Sequence, residues 1–212
     1  MAPVGPWREL LVLGCAQNCA GELPAVIANI RRLQGLFAAS EVLVLENDST
    51  DATADQLRCW TRQDPGVHAF SLPGLNERLP QKTERLAHLR NGGLAWLRQR
   101  QRLHPQALLL VLDLDEVNAE PWDLQAFIQV LAWFAAQPQA AAVLANQREL
   151  YYDLWALRHP SLCPDDLWER QLELHVRQPQ LSDAELLEVV LHERRATPVV
   201  APVGSRRPTA HA

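Results

Sequence analysis

Short apolar runs alternate with longer stretches of helically spaced apolar residues along most of the chain. The short runs predict β-strands, because a continuous apolar run of this length is typical of a strand buried in a sheet. The predicted strands are Leu10–Gly14, Glu41–Leu45, Val67–Leu72 and Ala107–Leu112. The helical spacing predicts helices over Leu23–Phe37, through Leu57 and Trp60, and over Thr83–Leu103, with Thr83 as a candidate cap and Leu75–Gln81 as a loop before it.

The order of these elements predicts the fold class. Strands that alternate with helices of this length form a mostly parallel sheet flanked by helices, so we expect an α/β, Rossmann-like fold. The run Ala107–Leu112 is almost wholly apolar, which predicts a central strand buried on both faces. The remaining pattern predicts a helix over Trp122–Gln137, a strand over Ala140–Leu144 and a helix over Ser182–His192.

Length and composition limit the number of domains and the kinds of partner that we expect. The chain has 212 residues, of which 48% are hydrophobic, and this predicts one domain over residues 1–196 followed by a loose tail over residues 197–212. The formal net charge is −5 and no run of Lys or Arg is present, which argues against nucleic acid as a partner. No segment has the pattern of a membrane span or a secretory signal, so we expect a cytoplasmic protein. The four cysteines make no CxxC pair and are predicted to be reduced thiols.

The strongest chemical signal is Asp113-Leu114-Asp115, which directly follows the predicted strand Ala107–Leu112. If the backbone is still extended there, the two carboxylates share one face and Leu114 turns back into the core. Hard divalent ions such as Mn²⁺ or Mg²⁺ take one or two carboxylates and complete their shell with phosphate oxygens and water. Asp113 and Asp115 therefore predict a metal site, and the alternative is that they only begin a loop and cap the next helix.

Two further polar segments follow or face the predicted strand ends. The segment Glu46 to Thr53 reads Glu-Asn-Asp-Ser-Thr-Asp-Ala-Thr, and its acids suit ribose hydroxyls, although an N-cap is the alternative for Ser49, Thr50 and Asp51. On the following helix, Arg85, His88 and Asn91 share a stripe with Arg90 beside it, and these cations and amides suit phosphate. Because parallel strands end at one edge, we expect these groups to converge.

These three segments, in this order, resemble the glycosyltransferases of the GT-A fold. That superfamily has a nucleoside-binding acid segment often written D-D-x-S-x-D-x-T, then a helix with an R-N pair, then a strand ending in D-x-D. The chain has the corresponding segments Glu46-Asn47-Asp48-Ser49-Thr50-Asp51, Arg90-Asn91 and Asp113-Leu114-Asp115. Together with Arg85-Leu86-Ala87, these sequences most resemble the cryptococcal-type, capsule-associated mannosyltransferase family.

The resemblance implies a glycosyltransferase that moves a hexosyl group from a nucleoside-diphosphate sugar to a carbohydrate acceptor, with a divalent cation (Mn²⁺ or Mg²⁺) on Asp113 and Asp115. GDP-mannose is the family's precedent. It also implies that Glu46, Asn47, Asp48, Asp51, Arg85, Arg90 and Asn91 bind the donor. The segment after Asp115 is short for an acceptor site, so we expect donor binding to exceed transfer, and no catalytic base is identified.

Two alternatives stay open at the level of sequence. Val-Leu-Asp-Leu-Asp-Glu after an apolar strand also resembles the nucleophile motif of haloacid-dehalogenase-type phosphatases. That family needs a downstream lysine, and the single lysine here, Lys82, lies upstream. The other alternative is a shortened, non-catalytic binder of nucleotide sugars, because function depends on a complete site and not on the fold alone.

Overall fold

The computed structural model describes residues 5–143 and 167–182, together with residues 185, 186 and 189. The chain divides into two compact units, Met1–Gln139 and Ala140–Ala212. The first unit contains the sheet. The predicted tail over residues 197–212 lies outside the described residues, and the single domain over residues 1–196 stays a prediction.

The first unit is a four-stranded, all-parallel sheet with helices on both faces, which confirms the predicted α/β class and is compatible with a Rossmann-like fold. The strand order is β3-β2-β1-β4. The strands are β1 (Glu9–Ala16), β2 (Ala39–Glu46), β3 (Val67–Ser71) and β4 (Ala107–Asp113). The helices are α1 (Leu23–Gln34), α2 (Thr53–Gln63), α3 (Leu75–Arg78), α4 (Lys82–Gln99) and α5 (Leu124–Ala135), with a 3-10 turn at Glu116–Asn118.

Side-chain alternation along the strands divides the core into two layers. Leu10, Val12, Val42 and Val44 point to one face, where they pack with the apolar side of α1 and with Leu57 and Trp60 of α2. The other face carries Leu11, Leu13, Leu43 and Leu45, which pack with α3 and α4 through Leu75, Leu89 and Leu97. Both faces of β1 are therefore covered, and every residue of β1 is buried.

Helix α4 packs directly against β1 at one glycine, Gly93. A Cβ atom placed on Gly93 would stand 2.3 Å from Cδ1 of Leu13, well inside van der Waals contact. Gly92, its neighbour in α4, has open space around the same position. The difference between Gly92 and Gly93 shows that the absence of a side chain at Gly93 permits the contact between α4 and β1. This contact fixes the distance of the α4 side chains from the sheet.

Several predicted details differ from the structure. Helix α4 begins at Lys82, so Thr83 lies inside it and is not its cap, and the predicted loop Leu75–Gln81 contains α3. Within the described residues β4 is an edge strand and Val111 is 48% exposed, so the predicted burial of this strand on both faces is wrong. Apolar composition alone does not distinguish an edge strand from a central one.

The second unit holds one helix that the sequence pattern did not predict, α6 (Leu167–Arg177). Residues 140–143 form no strand, so that part of the predicted strand Ala140–Leu144 is wrong, and Leu144 lies outside the described residues. Residues 185, 186 and 189 are helical, as predicted for Ser182–His192. Two leucines of this unit, Leu174 and Leu186, are buried.

Candidate functional site

The polar segments singled out from the sequence meet where the parallel strands end, at what we call the carboxyl edge. Ala16 is paired in register with Glu46 of β2, and Cys15 is paired with Asp113 of β4. The ends of β2 and β4 thus flank the last two residues of β1. Because successive side chains alternate, Asp113 shares the α4 face with Cys15, whereas Glu46 lies on the opposite face. The strand ends converge as predicted, and Glu46 and Asp113 lie on opposite faces of the sheet.

The segment Asp113-Leu114-Asp115 has the alternation that the sequence predicted. Asp113 and Asp115 are exposed, while Leu114 between them is only 1% exposed and packs in the core against Gly14. Asp115 precedes the 3-10 turn in an extended conformation, and its side chain caps no backbone N–H group of that turn. The capping alternative therefore does not explain Asp115, and its carboxylate remains available to a ligand.

Asp113 is paired with an arginine from α4. Nη2 of Arg90 donates to Oδ1 of Asp113 at 2.7 Å, and the side chains are 37% and 49% exposed, respectively. Cys15 lies beside this pair, and burial raises the pKa of its thiol to about 11, opposed by the positive charge of Arg90. A thiol with this pKa stays protonated at neutral pH, so Cys15 is unsuited to be a nucleophile.

The loop after β4 is held in place by Asn118 and by Asn29 of α1, and Asn29 was not selected in the sequence analysis. Asn118 donates its Nδ2 to the Asp113 carbonyl at 2.8 Å. Asn29 of α1, which is 3% exposed, donates to the carbonyls of Asn118 and Glu120 and accepts from the Trp122 N–H. In the sequence, the sign of this role is the position of Asn29 among the apolar residues of α1, because a buried amide must find hydrogen-bond partners.

The two polar residues at the end of β2, Glu46 and Asn47, are buried. Glu46 is 2% exposed, and its two carboxylate oxygens accept from the Ser49 N–H at 2.8 Å and from the Ser71 hydroxyl. Asn47 is equally buried and donates to Asp48 and to Asn76, a residue from α3 that the sequence analysis did not select. Gln17, which follows β1, donates to the same Asn76 oxygen at 3.1 Å. These contacts join the ends of β1 and β2 to α3.

Asp48 and Asp51 are also occupied by protein donors. Asp48, at a positive φ of 48°, accepts from the N–H groups of Asn76 and Gly74. These bonds, led by that of Asn76, lower the pKa of Asp48. Asp51 accepts from the N–H groups of Thr53 and Ala20. The pKa of Asp51 is lowered first by the Thr53 side chain and then by these N–H groups. The segment Glu46–Asp51 thus orders the loops at the carboxyl edge.

The two remaining predicted donor-binding residues lie on α4. Arg85 donates to the carbonyls of Leu79 at 2.8 Å and Pro80 at 2.6 Å, which closes the turn before the helix. Asn91 is exposed beside Arg90. Among the predicted cations, Arg90 is therefore the one whose guanidinium reaches a strand end.

A hard divalent cation fits the chemistry of Asp113 and Asp115. The two exposed carboxylates supply oxygen ligands, and such an ion takes its remaining ligands from substrate phosphates and water. Within residues 5–143 and the shorter described stretches, no group of three or more His, Cys, Asp or Glu side chains is placed to hold a metal. The fit is thus to a cation shared with a substrate and not to one enclosed by protein.

Comparison with known proteins gives no family for this chain. It matches no protein-family model, and no curated protein is significantly similar to it. No helix within the described residues has both the length and the apolar character needed to cross a membrane.

Proposed function

We propose that the chain is a metal-dependent glycosyltransferase that moves a hexosyl group from a nucleoside-diphosphate sugar to a carbohydrate acceptor. One observation carries the proposal: Asp113 and Asp115 are exposed at the carboxyl edge while Leu114 is buried. Ligands of open parallel sheets bind outside this edge. The resemblance to GT-A glycosyltransferases supplies the reaction class, and mannose is the sugar we test first.

The rest of the edge supports a donor site of this kind. The Glu46–Asp51 segment accepts hydrogen bonds from its own loops, and Asp48 and Asp51 join α3 and the loop after β1 to the end of β2. Because these bonds are already made in the protein, the loops are preorganised and a ligand need not order them. A divalent cation on Asp113 and Asp115 would add positive charge beside the leaving diphosphate. We expect Arg90, which is paired with Asp113, to contact that diphosphate directly.

The experiment measures donor binding before it measures transfer. Calorimetric titration of the full chain with GDP-mannose, GDP-glucose and UDP-glucose, with and without Mn²⁺, should give saturable binding that needs the cation. Asp115→Asn should abolish the Mn²⁺-dependent part. Asp55→Asn is the matched control, because Asp55 is an exposed aspartate of α2 whose substitution changes the net charge equally. Equal binding by Asp115→Asn and the parent would refute the cation site.

Product analysis then separates the three function classes. Sugar transfer to a mannoside acceptor that is lost in Asp115→Asn supports a transferase. Saturable donor binding without transfer or donor hydrolysis would support the non-catalytic binder. Release of phosphate from p-nitrophenyl phosphate, lost in Asp113→Asn, would instead support the phosphatase alternative.

A further inference from the structure

The ion pair between Arg90 and Asp113 occupies part of the candidate cation site. Arg90 donates to Oδ1 of Asp113 at 2.7 Å, so one of the two carboxylate oxygens that Asp113 can offer is already engaged. The arginine is held near this position because Gly93, three residues later on α4, lets the helix contact Leu13 of β1. The guanidinium is thus built into the edge by the packing of α4.

We propose that Arg90 regulates cation binding at Asp113: its guanidinium competes with the cation, and a diphosphate releases this competition by drawing Arg90 to itself. The inference rests on the proposed function, since it assigns a regulatory contact to the same site. Its consequence is that cation and diphosphate bind cooperatively. The cation binds weakly to the free chain, and its affinity rises when a diphosphate is present.

The exposure of the pair makes the exchange physically reasonable. Both side chains are partly open to solvent, and exposed ion pairs stabilise a protein only slightly. The free energy needed to separate Arg90 from Asp113 when a cation binds is therefore small. While Arg90 stays in place, its positive charge opposes that of the cation. The planar guanidinium fits phosphate oxygens in a bidentate manner, which gives Arg90 a better partner once a diphosphate arrives.

The arginine nearest the start of α4, Arg85, does not have this freedom to exchange. Arg85 is tied to two backbone carbonyls, and its release would leave those carbonyls without these bonds. Arg98 is exposed near the end of α4, two turns beyond Arg90. It therefore provides a matched control, because Arg98→Gln removes the same charge from the same helix but away from Asp113.

The test measures Mn²⁺ binding by electron paramagnetic resonance, with no reference to catalytic activity. The parent, Arg90→Gln, Arg90→Lys and Arg98→Gln are titrated with Mn²⁺ in the absence and presence of GDP, and chelation of Mn²⁺ by GDP is measured without protein. Without GDP, Arg90→Gln should bind Mn²⁺ about fivefold tighter than the parent, the scale of one exposed ion pair. Arg98→Gln should resemble the parent, and Arg90→Lys should lie between. Circular dichroism checks that each variant is folded.

The decisive quantity is the factor by which GDP strengthens Mn²⁺ binding. This factor should be smaller in Arg90→Gln than in the parent, and by linkage the same factor should appear when GDP is titrated with and without Mn²⁺. If Arg90→Gln binds Mn²⁺ no tighter than the parent while Asp115→Asn still abolishes binding, the competition is refuted and the cation site stands. If no variant binds Mn²⁺ even with GDP, both the competition and the proposed cation site are refuted.

Discussion

Two pairs of acidic residues, one at each edge of the sheet, lie in opposite environments. At the amino edge, where the strands begin, Glu9 and Glu41 are almost fully buried. They are surrounded by four basic side chains, Arg100, Arg102, His68 and His104. At the carboxyl edge, Asp113 is paired with Arg90, and Asp115 is exposed. Acidic side chains are thus enclosed in the first pair and open to solvent in the second, although the carboxyl edge also holds the enclosed Glu46.

The contacts explain this difference. Oε2 of Glu41 lies 2.6 Å from Nε of Arg102 in an ion-pair contact that is not an aligned hydrogen bond, and Oε1 lies 3.0 Å from Nε2 of His68. Oε2 of Glu9 lies 2.8 Å from Nε2 of His104. A buried carboxylate requires partners of this kind, because an unpaired buried charge is costly. Acids whose oxygens are all paired with basic groups of the protein stabilise the fold, whereas acids with exposed, unpaired oxygens are candidates for function.

The largest expected effect is the loss of a buried acid at the amino edge. Glu41→Ala should lower the free energy of unfolding by about 3 kcal/mol, because it removes a buried carboxylate that pairs with Arg102 and His68 and leaves Glu9 as the remaining counter-charge of Arg102. Urea unfolding followed by circular dichroism measures this. Asp55→Ala, which removes an exposed acid paired with Arg58, should cost no more than about 0.5 kcal/mol. A loss below that of the control would show that the amino edge does not depend on Glu41.

The next effect concerns α4, which carries Arg90 and packs directly on β1. Gly93→Ala should lower the free energy of unfolding by about 1 kcal/mol, because the overlap with the buried Leu13 outweighs the gain in helix propensity. Gly92→Ala has open space and should raise it by about 0.5 to 1 kcal/mol. The two substitutions are at adjacent positions, and their effects on the free energy of unfolding should have opposite signs. Equal stabilisation by both, in thermal unfolding, would mean that α4 shifts easily and does not fix Arg90.

A smaller effect is expected from pH at the Glu46–Asp51 segment. The folded-state pKa of Asp48 lies below its ordinary value of 3.8, because Asn76 and Gly74 donate to the charged form. Asp48 therefore stabilises the fold above about pH 4, and this contribution disappears as the pH falls through the lowered pKa. The melting temperature of the parent should thus fall more than that of Asp48→Asn between pH 5 and pH 3. Parallel pH curves for the two proteins would contradict the structural assignment of Asp48.

The smallest effect on stability is expected at the candidate cation site itself. Asp115→Asn should change the free energy of unfolding by less than about 0.5 kcal/mol, because this exposed side chain caps no helix. The measurement is the same urea titration used for Glu41→Ala. A loss above about 1 kcal/mol would assign Asp115 to the structural class of acids and remove the basis of the proposed site.

The sequence predicted most of the scaffold because the signals are local. All four strands of the sheet and the helices α1, α2, α4 and α5 coincide with the predicted segments, although their ends differ by a few residues. The short helix α3 was not predicted, because four residues are too few to show a helical period. Pro24 lies in the first turn of α1, where proline needs no N–H partner.

What the sequence alone determined is the fold class, the order of the strands along the chain and the alternation of Asp113, Leu114 and Asp115, because each follows from residue spacing. Only the tertiary structure decided which acids are free. Glu46 and Asp115 both follow or end apolar strands, yet the first is 2% exposed and bonded to Ser49 and Ser71, while the second faces solvent. The pairing of Arg90 with Asp113 likewise joins residues far apart in the chain. Such contacts depend on strand order and on the close packing of α4 at Gly93, which no local pattern specifies.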